Sequence, residues 1–71
     1  MKNMKIFADR LKIARKAANL TQKQMAAELS LAERNYQRYE SGETEPNFTD
    51  LCFIARRLNV SADYLLGLKE E

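Results

Sequence analysis

The sequence predicts an all-α fold, a compact bundle of about five short helices, and three observations carry that expectation. Apolar residues recur at helical spacing from about Ile6 onward. Only two Gly and one Pro occur in 71 residues, which favours helices joined by short links. Cap residues at Thr21, Asn47 and Ser61, and stop residues at Asn19, Gly42 and Gly67, divide the chain at helix-sized intervals. A chain of this length makes one small domain, residues 1–71, that hides only about 60% of its potential surface. A hydrophobic content of 45% is that of a packed protein and argues against disorder.

Residues 1–5 and 68–71 are expected to fray. From about Ile6 to Ala18, Phe7, Leu11, Ala14 and Ala18 form one apolar stripe, and Asn19 ends the helix. Arg15 lies on the edge of that stripe, where a long basic side chain can rest its stem on apolar surface. Thr21 with Gln24 is a capping-box pattern, after which Met25, Ala26 and Leu29 share a face. The period restarts after Ser30 and Leu31. Tyr36 and Tyr39 then turn inward, Glu33, Arg34, Gln37 and Arg38 turn outward, and Gly42 closes the segment. Ala26 is small enough for a second helix to cross closely. Residues from about 21 to 42 therefore read as a helix-turn-helix, whose second helix suits a DNA major groove. Asn47 and Asp50 open a fourth helix with Leu51, Ile54, Ala55 and Leu58 on its buried stripe. Phe53 falls off the stripe, and Cys52 beside it reads as a small apolar residue. Ser61 and Asp63 start a last helix, Ala62 to Leu66, stopped by Gly67. Val60 and Leu65 are expected in the core, with Tyr64 and Leu66 half covered.

Several function classes find no support. One cysteine and no histidine provide neither a disulfide framework nor an ordinary zinc site, so no metal or cofactor is expected. Paired carboxylates on one helical face, a Gly-rich phosphate loop and a setting for a reactive cysteine are all missing, so catalysis is not expected. No apolar run approaches the roughly 18 residues needed for a membrane span, and no signal peptide is visible, which makes a cytoplasmic protein without a further domain the expectation. Net charge is +2 but uneven: residues 1–20 carry six basic groups against one acidic, and residues 43–71 carry three against six. A polyanion would be drawn to the basic end.

The run T-Q-x-x-x-A-x-x-L, a turn, and Y-x-x-Y-E-x-G resembles the Cro/cI-type (XRE) helix-turn-helix family of phage and bacterial transcriptional repressors. Arg15 upstream and P-x-x-x-x-L-x-x-I-A-x-x-L-x-V-S-x-D-Y-L-L-G from Pro46 to Gly67 extend the likeness over about Phe7 to Gly67. The resemblance implies a lambda-repressor-like DNA-binding domain that regulates transcription, as a repressor, by binding double-stranded DNA as a homodimer on a pseudo-palindromic operator. By that likeness Glu33, Arg34 and Arg38 read bases, and Asn35 and Gln37 reach bases or backbone. Arg suits guanine, Gln adenine and Glu cytosine. Thr21, Gln22, Lys23, Ser41 and Thr44 would meet phosphates, Gln22 at a helix start where free N–H groups favour anions. Arg15 would pair with Glu40. Phe53, Val60, Ser61, Tyr64 and Leu66 are the candidate dimer surface; no membrane or small-molecule ligand is implied.

Two positions depart from the family pattern. Ser30 stands where Gly is usual, at a cost of up to about 1–2 kcal/mol if its backbone is left-handed. Alternatively, Ser30 and Glu33 form a capping box for the third helix. Glu43 and Glu45 stand in a loop that is often basic, where they would repel phosphate. Without the resemblance, a solvated helix face accounts for Glu33, Arg34, Gln37 and Arg38 equally well. The rival function is a protein-interaction module, such as an antitoxin or antirepressor, on the same fold.

Overall fold

In the computed structural model, which describes residues 4–70, side-chain caps open the second, fourth and fifth of the helices. The helices are α1 (Met4–Ala17), α2 (Gln22–Glu28), α3 (Glu33–Ser41), α4 (Phe48–Leu58) and α5 (Ala62–Leu66). No strand occurs among the described residues. The capping box opens α2: Thr21 Oγ1 accepts from the Gln24 N–H at 3.0 Å, while Gln24 Oε1 accepts from the Thr21 N–H at 2.8 Å. Asn47 Oδ1 caps α4 through the Asp50 N–H at 2.7 Å, and Ser61 Oγ caps α5 through the Tyr64 N–H at 2.9 Å. Each helix stops at a left-handed residue: Asn19, Ser30, Gly42, Asn59 and Gly67. Leu20, Leu31 and Val60, each following such a residue, fold back onto the core. That is the hydrophobic contact of this helix ending.

Phe7, Leu11 and Ala14 from α1, Met25, Ala26 and Leu29 from the α2 segment, Tyr36 and Tyr39 from α3, Ile54 and Leu58 from α4, and Leu65 from α5 form one core. Ala26 is 2% exposed where α2 and α3 cross. Leu51, Ala55 and Val60, expected to be buried, are half-buried at its margin. Cys52 is exposed.

Two expectations need correction, and a third point, the conformation of Ser30, is as the sequence suggested. First, α1 starts at Met4, not Ile6, so Met4 and Lys5 are helical where fraying was expected. The tail is also held: Arg10 Nη1 donates to the carbonyls of Tyr64 and Lys69 at 2.6 Å each, and Arg10 Nη2 lies 3.6 Å from Glu70. The Arg10 guanidinium also sits 4.5 Å over the Tyr64 ring, a cation–π contact. The remaining positions expected to fray, 1–3 and 71, lie outside the described residues. Second, the Ser30–Glu33 capping box does not form. Ala32 is the N-cap of α3 and has no side chain to offer. Third, Ser30 takes the left-handed conformation, φ +58°, because the chain must reverse there for the Leu31 N–H to reach the Ala26 carbonyl at 2.9 Å. Ser30→Gly should therefore stabilise the domain by up to about 1 kcal/mol, strain relief exceeding the added freedom of the unfolded chain. Chemical denaturation would measure it, and a lowered midpoint would contradict the strain assigned to Ser30.

Candidate nucleic-acid interface

The geometry of α3 is set from beneath. Tyr36 and Tyr39 lie on its buried side with ring centroids 6.3 Å apart, edge to face. The Tyr39 hydroxyl donates to Asp50 Oδ2 at 2.7 Å and ties α3 to α4. Burial, then the bond to Asp50, pushes the Tyr39 hydroxyl up to about 12. Four residues later in the helix than Tyr36, Glu40 also points inward. Its side chain is 2% exposed and that of Arg15 8%. Arg15 grips it with Nε to Oε2 at 2.6 Å and Nη2 to Oε1 at 3.2 Å. The remaining Arg15 nitrogen donates to the Leu20 carbonyl at 2.7 Å, just past the end of α1. Tyr36 and Gln22 also donate to the Glu40 carboxylate.

Opposing effects act on these groups. Burial pushes the Glu40 carboxyl up, but bonds from Arg15, Tyr36 and Gln22 together outweigh it and hold it below 4.5. The bond to Glu40 raises Arg15 despite its burial. Desolvation first, then the neighbouring carboxylate, raises the Tyr36 hydroxyl. No buried polar side-chain atom among the described residues lacks a partner. The pair therefore locks the start of the turn after α1 to the C-terminal half of α3.

With its underside occupied, α3 presents Glu33, Arg34, Asn35 and Gln37 as exposed residues and Arg38 as half-buried. Arg34, Gln37, Arg38, Ser41 and Glu43 line one shallow hollow. Two cations and an amide thus stand together, with an acidic loop residue at their margin. The other proposed contacts are distributed less simply. Thr21, Lys23 and Thr44 are exposed. Ser41 is exposed, but its hydroxyl lies 3.2 Å from the Arg38 carbonyl and 3.1 Å from Glu43 Oε1. Gln22, a phosphate contact by family likeness, turns its amide nitrogen inward to Glu40 Oε1 at 3.0 Å. A buried carboxylate is a stronger acceptor than water at an exposed helix start, so the inward contact wins.

The candidate dimer residues fall on two surfaces. Val60, Ser61 and Tyr64 line an open cleft with Ile13, Ala14, Ala17 and Asn59. Leu66 is half-buried on the same short helix. Phe53 belongs elsewhere, on a groove with Phe48, Thr49, Cys52, Arg56 and Arg57. Sequence reasoning missed Ile13, 59% exposed, and Phe48, 88% exposed. The signal for Phe48 was present, since it lies four residues before Cys52 and five before Phe53, off the buried stripe.

The helix-turn-helix family pattern matches residues 11–65. Among curated proteins, the chain is 47% identical over 59 residues to the cryptic phage CTXphi transcriptional repressor RstR of Vibrio cholerae, covering 83% of this chain and 53% of that protein. It is 41% identical over 61 residues to the transcriptional regulator ImmR of Bacillus subtilis, covering 86% of this chain and 48% of ImmR. Similarity also extends to the transcriptional activator BcrR of Enterococcus faecalis, 34% identical over 64 residues, 90% of this chain and 31% of BcrR. The chain spans about half the length of the first two of these relatives and less of the third. No helix among the described residues is long and apolar enough to cross a membrane. Five helices, a close α2–α3 crossing, an outward polar face on α3 and this match over the core of the chain place it in one group: the protein belongs to the Cro/cI-type (XRE) helix-turn-helix family.

Proposed function

We propose that this protein is a sequence-specific DNA-binding transcriptional regulator that represses by occupying an operator. The observation that carries the reading is the outward face of α3, where Arg34, Gln37 and Arg38 gather in one hollow on a helix locked from beneath by Arg15 and Glu40. A helix held that way can enter a major groove without losing register, and the arginines with the Gln amide supply polar groups that distinguish base edges. Glu33, Arg34 and Arg38 are the base readers, with Asn35 beside them. Thr21, Lys23 and Thr44 flank them as phosphate contacts.

One small domain makes few contacts, so the binding form is a two-fold dimer on a pseudo-palindrome, with half-sites about 34–36 Å apart. The cleft of Val60, Ser61 and Tyr64 beside exposed Ile13 supports that part of the reading as the dimer surface. Selection of bound duplexes from a random pool tests function and symmetry together. An inverted repeat should emerge; a pool left unenriched would reject sequence-specific binding.

The exposed Phe48–Phe53 face favours a second reading, a protein-interaction module such as an antitoxin or antirepressor on the same fold. Anisotropy with random duplex across a salt series separates the two. A DNA binder gives a log–log slope of several units, whereas an interaction module gives none. The acidic loop supplies a further prediction. Glu43 lines the hollow with Arg34 and Arg38, so Glu43→Lys should tighten binding severalfold on every sequence and leave the preferred site unchanged. Unaltered affinity would place the loop away from DNA.

A further inference from the structure

Glu40 is the fixed end of a chain of hydrogen bonds that reaches the outward face of α3. Ionised and gripped by Arg15, its carboxylate can only accept. Gln22 must therefore point Nε2 at Glu40 Oε1, 3.0 Å away, and turn its own carbonyl oxygen outward. A flipped amide would set two acceptors against each other and leave a buried oxygen short of a donor. The outward Gln22 Oε1 is again an acceptor, and Gln37 meets it with Nε2 at 3.3 Å. The same Gln37 nitrogen faces Glu33 Oε2 at 3.5 Å. Both neighbours of that nitrogen are acceptors, so the Gln37 carbonyl oxygen is the atom left to meet a partner.

We propose that Gln37 is a specificity-determining residue that reads its base as an acceptor alone, taking a hydrogen bond from an exocyclic amine, adenine N6 or cytosine N4, with Gln22 as the residue that positions it. An unconstrained Gln can rotate its amide and satisfy either kind of base edge. Here the buried carboxylate sets the sense of both amides, so guanine O6 and thymine O4 would meet a carbonyl oxygen and be rejected. The proposal rests on the reading of α3 as the groove helix.

The experiment begins with the duplex selected from a random pool. Failure to enrich any sequence rejects that reading and leaves the relay out of the question. On an enriched duplex, Gln37→Ala identifies the base pair that Gln37 contacts, as the pair whose identity ceases to matter. The exocyclic amine of that pair is then replaced by hydrogen. Wild-type protein should lose about fivefold in affinity, and Gln37→Ala nothing. Gln22→Met should reduce the penalty, because only the longer contact to Glu33 then holds the sense of the Gln37 amide. Gln37→Glu, which can only accept, should keep the amine dependence whatever happens to its overall affinity. It also serves should Gln22→Met fold poorly. The relay is overturned by any of three results: Gln37→Ala flattens no base pair, wild type binds the amine-free duplex equally well, or Gln37→Glu loses the dependence. A folded Gln22→Met that retains the full penalty overturns the positioning role.

Discussion

Arg15→Ala is expected to destabilise the domain by about 3–5 kcal/mol, measured by urea unfolding followed through helical circular dichroism. The size follows from what remains behind. Glu40, with a side chain 2% exposed, would keep its charge but lose the guanidinium that neutralises it. Domains have roughly 5–15 kcal/mol in total, and one this small sits near the lower end, so much of the population would unfold at growth temperature. The paired change Arg15→Met with Glu40→Leu should recover most of the loss, since an apolar pair of similar volume leaves no buried charge. Recovery will stop short of complete because Tyr36 and Gln22 lose their acceptor. A cost under about 1 kcal/mol for Arg15→Ala would mean that water reaches Glu40, and the buried lock would be disproved.

The same lock has a pH signature. Glu40 is held below its ordinary 4.5, so the folded state binds that proton less readily than the unfolded chain. Its stabilising contribution is present above pH 4.5 and is lost as pH falls through the folded value. The wild type should therefore lose stability more steeply on acidification than the apolar double variant.

Arg38→Ala should cost about 1–3 kcal/mol on the selected duplex and relax the preference at one base pair. Its i,i+4 partner Arg34 lies in the same hollow. Competition binding against single-base variants of the duplex distinguishes the possible roles. A loss confined to one base pair marks Arg38 as a base reader. A uniform loss across all sequences would make it a phosphate contact and remove it from the specificity face. The backbone of the turn is a suitable control, because the Arg38 carbonyl accepts from the Glu43 N–H at 3.0 Å with or without the side chain.

Much of the fold was legible because the signals are local. The Thr21–Gln24 box, the Asn47 and Ser61 caps and the Gly42 stop each join a residue to backbone within four positions, and all four form as their spacing predicts. The turn at Ser30 was read less well. Two local devices competed there, a left-handed stop and a cap for α3. The stop prevails because Leu31 can then bury itself against the core. The hold on the C-terminal tail was not legible, because Arg10 reaches residues 54 and 59 positions away, contacts that no local pattern announces.

The residue order alone was enough for about five helices, the caps at Thr21, Asn47 and Ser61, the stops at Asn19, Gly42 and Gly67, and the outward row of Glu33, Arg34, Gln37 and Arg38. Periodicity and capping act within one or two turns, so the order of residues suffices. Packing between distant helices set the rest: Gln22 turns inward, Glu43 borders the arginines of α3, and Phe53 and Val60 lie on separate surfaces. Those outcomes depend on how helices distant in the chain cross. A polar side chain at such a crossing takes the strongest acceptor within reach, and here that acceptor is the buried Glu40.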